Sequence, residues 1–295
     1  MEIIGENEIR NAISRSGYLL EGRIIRRLVE NDYYISPSER YSDPRTGIDR
    51  EIDIIGLSEL IKGRVGGFEL KVNHELIIEC TNNPQPIVFF EIGAGDKFLS
   101  TYEPYASFST KDEDSEVCIR LNNSSILELT HPENYFIVQT PSVQYCSFTQ
   151  KKGSKEWMAL HPDEVNSMMI KFKDCFEQQR VSFEEMPPKA SEFRHVLFRM
   201  VWVTSNDLYL ATEKNGEVTL SKKDLVFYLH KFSDKNIVRN IMVDVVSEAY
   251  FDSYIKLNKE IDKRLVDKII GNEQSIIDFH KQLGIFQATT SKTSE

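Results

Sequence analysis

Two short acidic signatures stand out in this chain of 295 residues. Arg50-Glu51-Ile52-Asp53-Ile54-Ile55 and Leu76-Ile77-Ile78-Glu79-Cys80-Thr81 each set a carboxylate in a run of Ile and Leu that reads as a buried strand. An ionised carboxylate is costly to bury unless a partner or a metal offsets it. Taken alone, either acid reads as solvated or paired with an arginine, and Arg50 is near enough in sequence to serve. Taken together, on successive apolar strands, Asp53 and Glu79 point to a site for a divalent cation held through oxygen. Mg²⁺ takes one or two carboxylates and completes its shell with waters and phosphate oxygens. A phosphodiester is the natural third party at such a site.

The elements that must position these groups are legible around them. Ser16 caps a helix predicted over 17–31, with Tyr18, Glu21, Ile25 and Leu28 on one stripe. Glu21 therefore falls on the apolar side. It is either a Glu at the edge of the stripe or an accessory acid near the metal. Residues 33–36 read as a short strand, 37–47 as turn-rich, and 48–57 and 74–81 as strands. On the last of these, Ile77, Glu79 and Thr81 share one face, and Ile78 and Cys80 share the other. Residues 111–116 read as an exposed acidic loop. A helix is expected over 162–180, with Val165, Met168, Met169, Phe172, Cys175 and Phe176 forming its core side. Residues 195–204 read as a dense β run. Tyr250, Tyr254, Leu257, Ile261 and Leu265 form a helical stripe that packs on its own domain or on a second subunit.

The order of these pieces between Ser16 and Phe90 resembles the PD-(D/E)XK nuclease superfamily, the restriction-endonuclease-like fold. Gly17-Tyr18-Leu19-Leu20-Glu21 is similar to the family's first helix with its acid. Tyr41-Ser42-Asp43-Pro44-Arg45-Thr46-Gly47 resembles the turn before its metal strand, and Arg50-Glu51-Ile52-Asp53 that strand. Ile78-Glu79-Cys80-Thr81 resembles the second ligand strand, and Pro86-Ile87-Val88-Phe89-Phe90 the run that follows. The resemblance implies Mg²⁺, with Mn²⁺ as substitute, on Asp53 and Glu79. It adds the backbone carbonyl of Cys80 as a ligand, Glu21 in support, and nucleic acid, above all DNA, as partner. The chain departs from the pattern at Thr81, where the family carries a lysine thought to act on the attacking water. A hydroxyl supplies no positive charge. Three explanations stand: the lysine has migrated, with Lys71 and Lys97 the nearest candidates; Thr81 holds the water itself; or cleavage is lost and the fold kept.

Composition bounds the rest. Net charge is −10, so no global positive field draws in nucleic acid, which counts against a non-specific DNA binder. Residues 1–50 carry eight Arg and no Lys, with nine acids among them. Most of those arginines read as a solvated helix face with ion pairs. The four Cys and six His are scattered, without zinc spacing. Free thiols, the absence of an apolar leader and the absence of a spanning run give the expectation of a cytoplasmic protein without membrane contact.

The expected architecture is α/β, a central mixed β-sheet flanked by helices with a restriction-endonuclease-like core. One domain over 1–285 is expected, with β-rich insertions, a helical C-terminus, a possible subdivision near 184–190 and a flexible tail at 286–295. The expected activity is metal-dependent endonuclease cleavage. The alternative is a catalytically silent module of the same fold that binds nucleic acid or a protein. A purely structural subunit, assembling as a homo-oligomer through the C-terminal stripe, is the third reading.

Overall fold

The computed structural model describes residues 4–43, 46–58, 61–65, 68–82, 85–91, 105–112, 115–120, 141–160, 163–185, 192–234 and 237–271. It is mixed α/β. In chain order the elements are α1 (Glu6–Arg15), α2 (Tyr18–Glu30), β1 (Tyr34–Ser42), β2 (Asp49–Leu57), β3 (Ile61–Val65), β4 (Phe68–Thr81), β5 (Ile87–Phe90), β6 (Tyr105–Asp112), β7 (Ser115–Arg120), β8 (Gln144–Gln150) and β9 (Trp157–Leu160). There follow α3 (Asp163–Glu185), β10 (Glu192–Thr204), β11 (Leu208–Lys214), β12 (Glu217–Lys223), β13 (Leu225–Asp234), β14 (Ile237–Ser247) and α4 (Phe251–Gly271).

The main sheet runs β1-β2-β4-β10-β14-β13. Strands β4, β10 and β14 are parallel, and the outer pairs are antiparallel. The two longest strands, β4 and β10, lie side by side from Glu69↔Glu192 to Thr81↔Thr204. Residues on both sides of 184–190 thus share one sheet, while 186–191 and the tail at 286–295 lie outside the described residues.

A period-2 alternation sorts the two faces. Leu76, Ile78 and Cys80 of β4, with Ile54, Val201, Val203 and Val246, pack under Leu20, Ile24 and Leu28 of α2 and Phe251, Tyr254 and Ile255 of α4. Ile77, with Ile52, Ile55, Met200, Trp202 and Val245, packs under Met168, Met169, Phe172 and Cys175 of α3. Of the C-terminal stripe, Tyr254 packs on the chain's own sheet with Tyr250 partly buried beside it, and Phe251 and Ile255, outside the expected stripe, pack there too. The buried face of α4 holds Asn258 and Asp262 among the apolar residues.

A second sheet, β12-β11-β5-β8-β9, grows from the C-terminal ends of these strands. Strand β4 leads into β5 and β10 into β11, and the new pair is again parallel, Leu208↔Ile87 to Ala211↔Phe90. The Ser205 N–H donates to the Thr81 carbonyl at 3.3 Å where the two sheets meet.

Several local expectations differ. Ser16 does not cap α2, whose N-cap is Gly17; the Ser16 hydroxyl donates instead to the Ile13 carbonyl at the end of α1. The buried side of α2 is Leu20, Ile24 and Leu28, and Tyr18 is exposed. Residues 37–42, expected as turn, continue β1. This strand is an edge of the sheet, where Pro37 costs no ladder bond, and Ser38 takes the left-handed conformation at φ 52° opposite Asp53. Residues 111 and 112 end β6 and 115 and 116 begin β7, so the expected loop is a hairpin. No helix among the described residues is long and apolar enough to cross a membrane.

Candidate functional site

The ladder between β2 and β4 runs from Leu57↔Glu75 to Ile54↔Ile78 and stops there. Asp53 and Glu79 are the next residues on each strand. Where the strands part, side chains replace the ladder: the Cys80 N–H donates to Asp53 Oδ2 at 2.8 Å. This bond fixes the Asp53 carboxylate in the opening between the strands and ties it to the backbone beside Glu79. On the other edge of β4 the ladder to β10 is intact, with Trp202 opposite Glu79.

Helix α3 supplies the cation. Lys171 Nζ donates to both Glu79 oxygens, at 2.8 and 2.9 Å. Glu79 is 6% exposed and Lys171 is partly open to solvent. Helix α2 supplies a third acid. Glu21 lies near Asp53, Glu51 and Lys171, and its carboxyl approaches the Cys80 carbonyl across Gly17. A Cβ added at Gly17 would sit 3.3 Å from Glu21 Oε1 and 3.8 Å from the Cys80 carbonyl oxygen. A side chain at position 17 would crowd both groups. Asn82 fastens this end of the strand to the α1–α2 junction, donating to the Ser14 and Ser16 carbonyls at 3.1 Å each.

The electrostatics follow from the head count. Three carboxylates face one ammonium in a desolvated opening. Burial, then the neighbouring Asp53, pushes Glu79 up to about 8 against the pull of Lys171. Burial raises Asp53, with the Cys80 N–H and Lys171 opposing. Burial raises Glu21 as well, reinforced by Asp53 and Glu51. Each acid holds its proton more tightly than it would in water, first because burial strips its hydration and, for Glu79 and Glu21, because neighbouring acids add to that.

The structure therefore brings Asp53, Glu79, the Cys80 carbonyl and Glu21 together at one strand end, with Thr81 two residues beyond Glu79 on the same strand. It does not bring Lys71 there. Lys71 lies eight residues before Glu79 on β4, about 26 Å back along the strand. It is buried and pairs with Glu69 at 3.4 Å. Lys97 lies outside the described residues. The ammonium beside Glu79 is that of Lys171, which sequence reasoning passed over. Its signal was present: on the α3 wheel Lys171 falls between Met168 and Cys175, at the margin of the core stripe, where a lysine has to reach past apolar neighbours.

Thr81 has its own partner. The buried Trp202 indole N–H donates to Thr81 Oγ1 at 2.6 Å. The hydroxyl thus accepts from Trp202 and keeps its own proton to donate. Trp202 is held edge-on to Phe89 and Tyr145.

Two carboxylates and a carbonyl form an oxygen donor set of the kind Mg²⁺ uses when waters complete its shell. No group of three or more His, Cys, Asp or Glu side chains is placed to hold a metal ion among the described residues. No protein-family model matches the chain, and no curated protein and no solved structure does either.

Proposed function

We propose that this strand end is the active site of a metal-dependent phosphodiesterase of the PD-(D/E)XK kind, acting on nucleic acid, with DNA the first substrate to try. The observation that carries this reading is the unbalanced charge: Glu21, Asp53 and Glu79 converge on one ammonium where the β2–β4 ladder opens.

Asp53, Glu79 and the Cys80 carbonyl would hold Mg²⁺ or Mn²⁺. When bound, the ion supplies Lewis-acid polarisation of a phosphoryl oxygen and a more acidic water. The chain's own residues account for the rest. Asp53 is oriented by the Cys80 N–H. Glu79 is oriented by Lys171. An ammonium has three donors, and Lys171 spends two on Glu79, so its charge sits where phosphate oxygens would gain charge. Lys171 thereby takes the role that the family's motif lysine would have at position 81. Thr81, fixed by Trp202, offers a hydroxyl proton on the same face. Glu21 supports from α2.

Supercoiled plasmid with Mn²⁺ tests this. The wild type should nick it, and Asp53→Asn and Glu79→Gln should abolish nicking, since both keep side-chain shape and remove charge. A wild type that cuts in no divalent metal, yet binds DNA unchanged after both substitutions, would replace the enzyme with a silent binding module.

A further inference from the structure

The chain is acidic as a whole, yet the hairpin made by β8 and β9 is basic. From Pro141 to Leu160 it carries Lys151, Lys152 and Lys155 against one acid, Glu156, a net charge of +2 in a protein of −10. All four are exposed. Their turn is well held. Gly153 occupies the left-handed region at φ 78°, where a side chain would be strained. The Lys151 N–H donates to the Glu156 carbonyl at 2.9 Å, and the Glu156 N–H donates to Ser154 Oγ at 2.9 Å. The three lysines are thus presented from a fixed loop.

Trp157 opens β9 beside them, pairing with Gln150, and is 51% exposed. The chain has two tryptophans, and the other, Trp202, is 1% exposed in the core. An indole left half in water forgoes the burial that a side chain of its size ordinarily takes. Cations next to an open aromatic face form the pattern that tracks a phosphate backbone and stacks a base.

The hairpin's place in the fold selects the ligand. Strand β8 pairs with β5, Val88↔Cys146 to Phe90↔Gln144. Strand β5 is reached from Thr81 through 82–86, so the hairpin belongs to the sheet that grows out of the carboxylate site. Stacking on Trp157 needs a base that is out of its duplex. We infer that the β8–β9 hairpin docks a single-stranded stretch of the nucleic-acid substrate, with Lys151, Lys152 and Lys155 on phosphates and Trp157 stacked on a base. This rests on the nucleic-acid reading of the site and adds the form of the substrate to it.

The test uses the full chain in EDTA, so that binding is read without cutting. A thymidine oligonucleotide about twenty nucleotides long is titrated against tryptophan fluorescence, with the buried Trp202 as the fold control. The oligonucleotide should quench the emission. Trp157→Ala should weaken binding about tenfold, read by anisotropy of a labelled oligonucleotide. Replacing the three lysines with alanine should lower the slope of log affinity against log salt by about two. A duplex of equal length should bind more weakly. Equal affinity in Trp157→Ala, or duplex binding as tight as single-strand binding, would overturn the inference. So would tighter association with vesicles of equimolar phosphatidylcholine and phosphatidylserine, which would make the hairpin a membrane contact. Failure of the metal site shows up separately, as loss of plasmid nicking in Mn²⁺.

Discussion

The two faces of the main sheet both bury charge, and they treat it differently. On the face under α2 and α4, Asp244, Asp262 and the half-buried Glu248 each meet a partner from a neighbouring element. Arg199 of β10 donates to Asp244 of β14 at 3.1 Å, and Tyr254 of α4 donates to the same oxygen at 2.6 Å. His74 of β4 bonds to Asp262 of α4 through one ring nitrogen and to Tyr33 through the other. Arg23 and Arg27 of α2 share Glu248. Where the β2–β4 ladder opens, Glu79, Asp53 of β2 and Glu21 of α2 have Lys171 among them, and burial shifts all three upward, as it also shifts Asp244 on the other face. The difference lies in the ratio of groups, three carboxylates to one ammonium at the strand end, and not in the direction of the shifts.

The sharpest break in that contrast is at Lys171. Lys171→Met should lower Mn²⁺-dependent nicking by about a hundredfold to a thousandfold, the cost of removing one preorganised donor to a charged transition state. Thr81→Lys alone should bring no gain, since an ammonium already sits beside Glu79. Thr81→Lys in the Lys171→Met background should recover part of the loss. Nicking rates of the three variants decide it, and a wild-type rate in Lys171→Met would remove the lysine from the mechanism.

Next in size is a difference of sign. Asp244→Ala removes the buried carboxylate to which both Arg199 and Tyr254 donate and should cost about 3–5 kcal/mol in urea unfolding. Asp53→Asn, measured without metal, should leave stability unchanged or raise it, because it removes one of the crowded charges and keeps an oxygen for the Cys80 N–H. Similar losses in both would mean that the two faces do not differ.

Glu75 gives a smaller effect that depends on pH. It lies on the α3 face four residues before Glu79, and burial, with Glu39 nearby, pushes it up to about 7 from its ordinary 4.5. The folded state therefore holds this proton more tightly than the unfolded chain does. The resulting stability is fully present below pH 4.5 and is lost as pH rises through 7, to at most roughly 3 kcal/mol. Glu75→Gln should flatten the urea midpoint between pH 5 and 8 relative to wild type, by roughly that amount at most. Parallel midpoint curves for the two proteins would show Glu75 ionising as it does in water.

Periodicity carried most of this architecture into view. The apolar stripe of α3, and the alternation of Ile77, Glu79 and Thr81 with Ile78 and Cys80, are local patterns that a strand or helix imposes on its own residues; on α2 the spacing of Tyr18, Ile25 and Leu28 pointed to the wrong stripe, since the buried side is Leu20, Ile24 and Leu28. The two acids could be paired because each sits inside such a run. Lys171 could not be matched to Glu79 in the same way. The two are 92 residues apart, and nothing local says that α3 crosses the end of β4. Nearness in sequence favoured Lys71, but eight residues of extended strand carry it away from the site. The pairs on the other face were hidden for a related reason: Arg199, Asp244, His74 and Asp262 each look like an isolated charge until β4, β10, β14 and α4 converge. Pro37 misled locally, because whether a strand tolerates proline depends on whether it is an edge, and that is set by its neighbours.

Calorimetric titration of Mn²⁺ into wild type and Asp53→Asn, with no nucleic acid present, reads the unbalanced charge directly. Wild type should bind the ion, and Asp53→Asn should bind it at least about tenfold more weakly, as expected when a carboxylate ligand to a hard cation is lost. Equal binding by the two proteins would contradict a metal site at the end of β2 and β4.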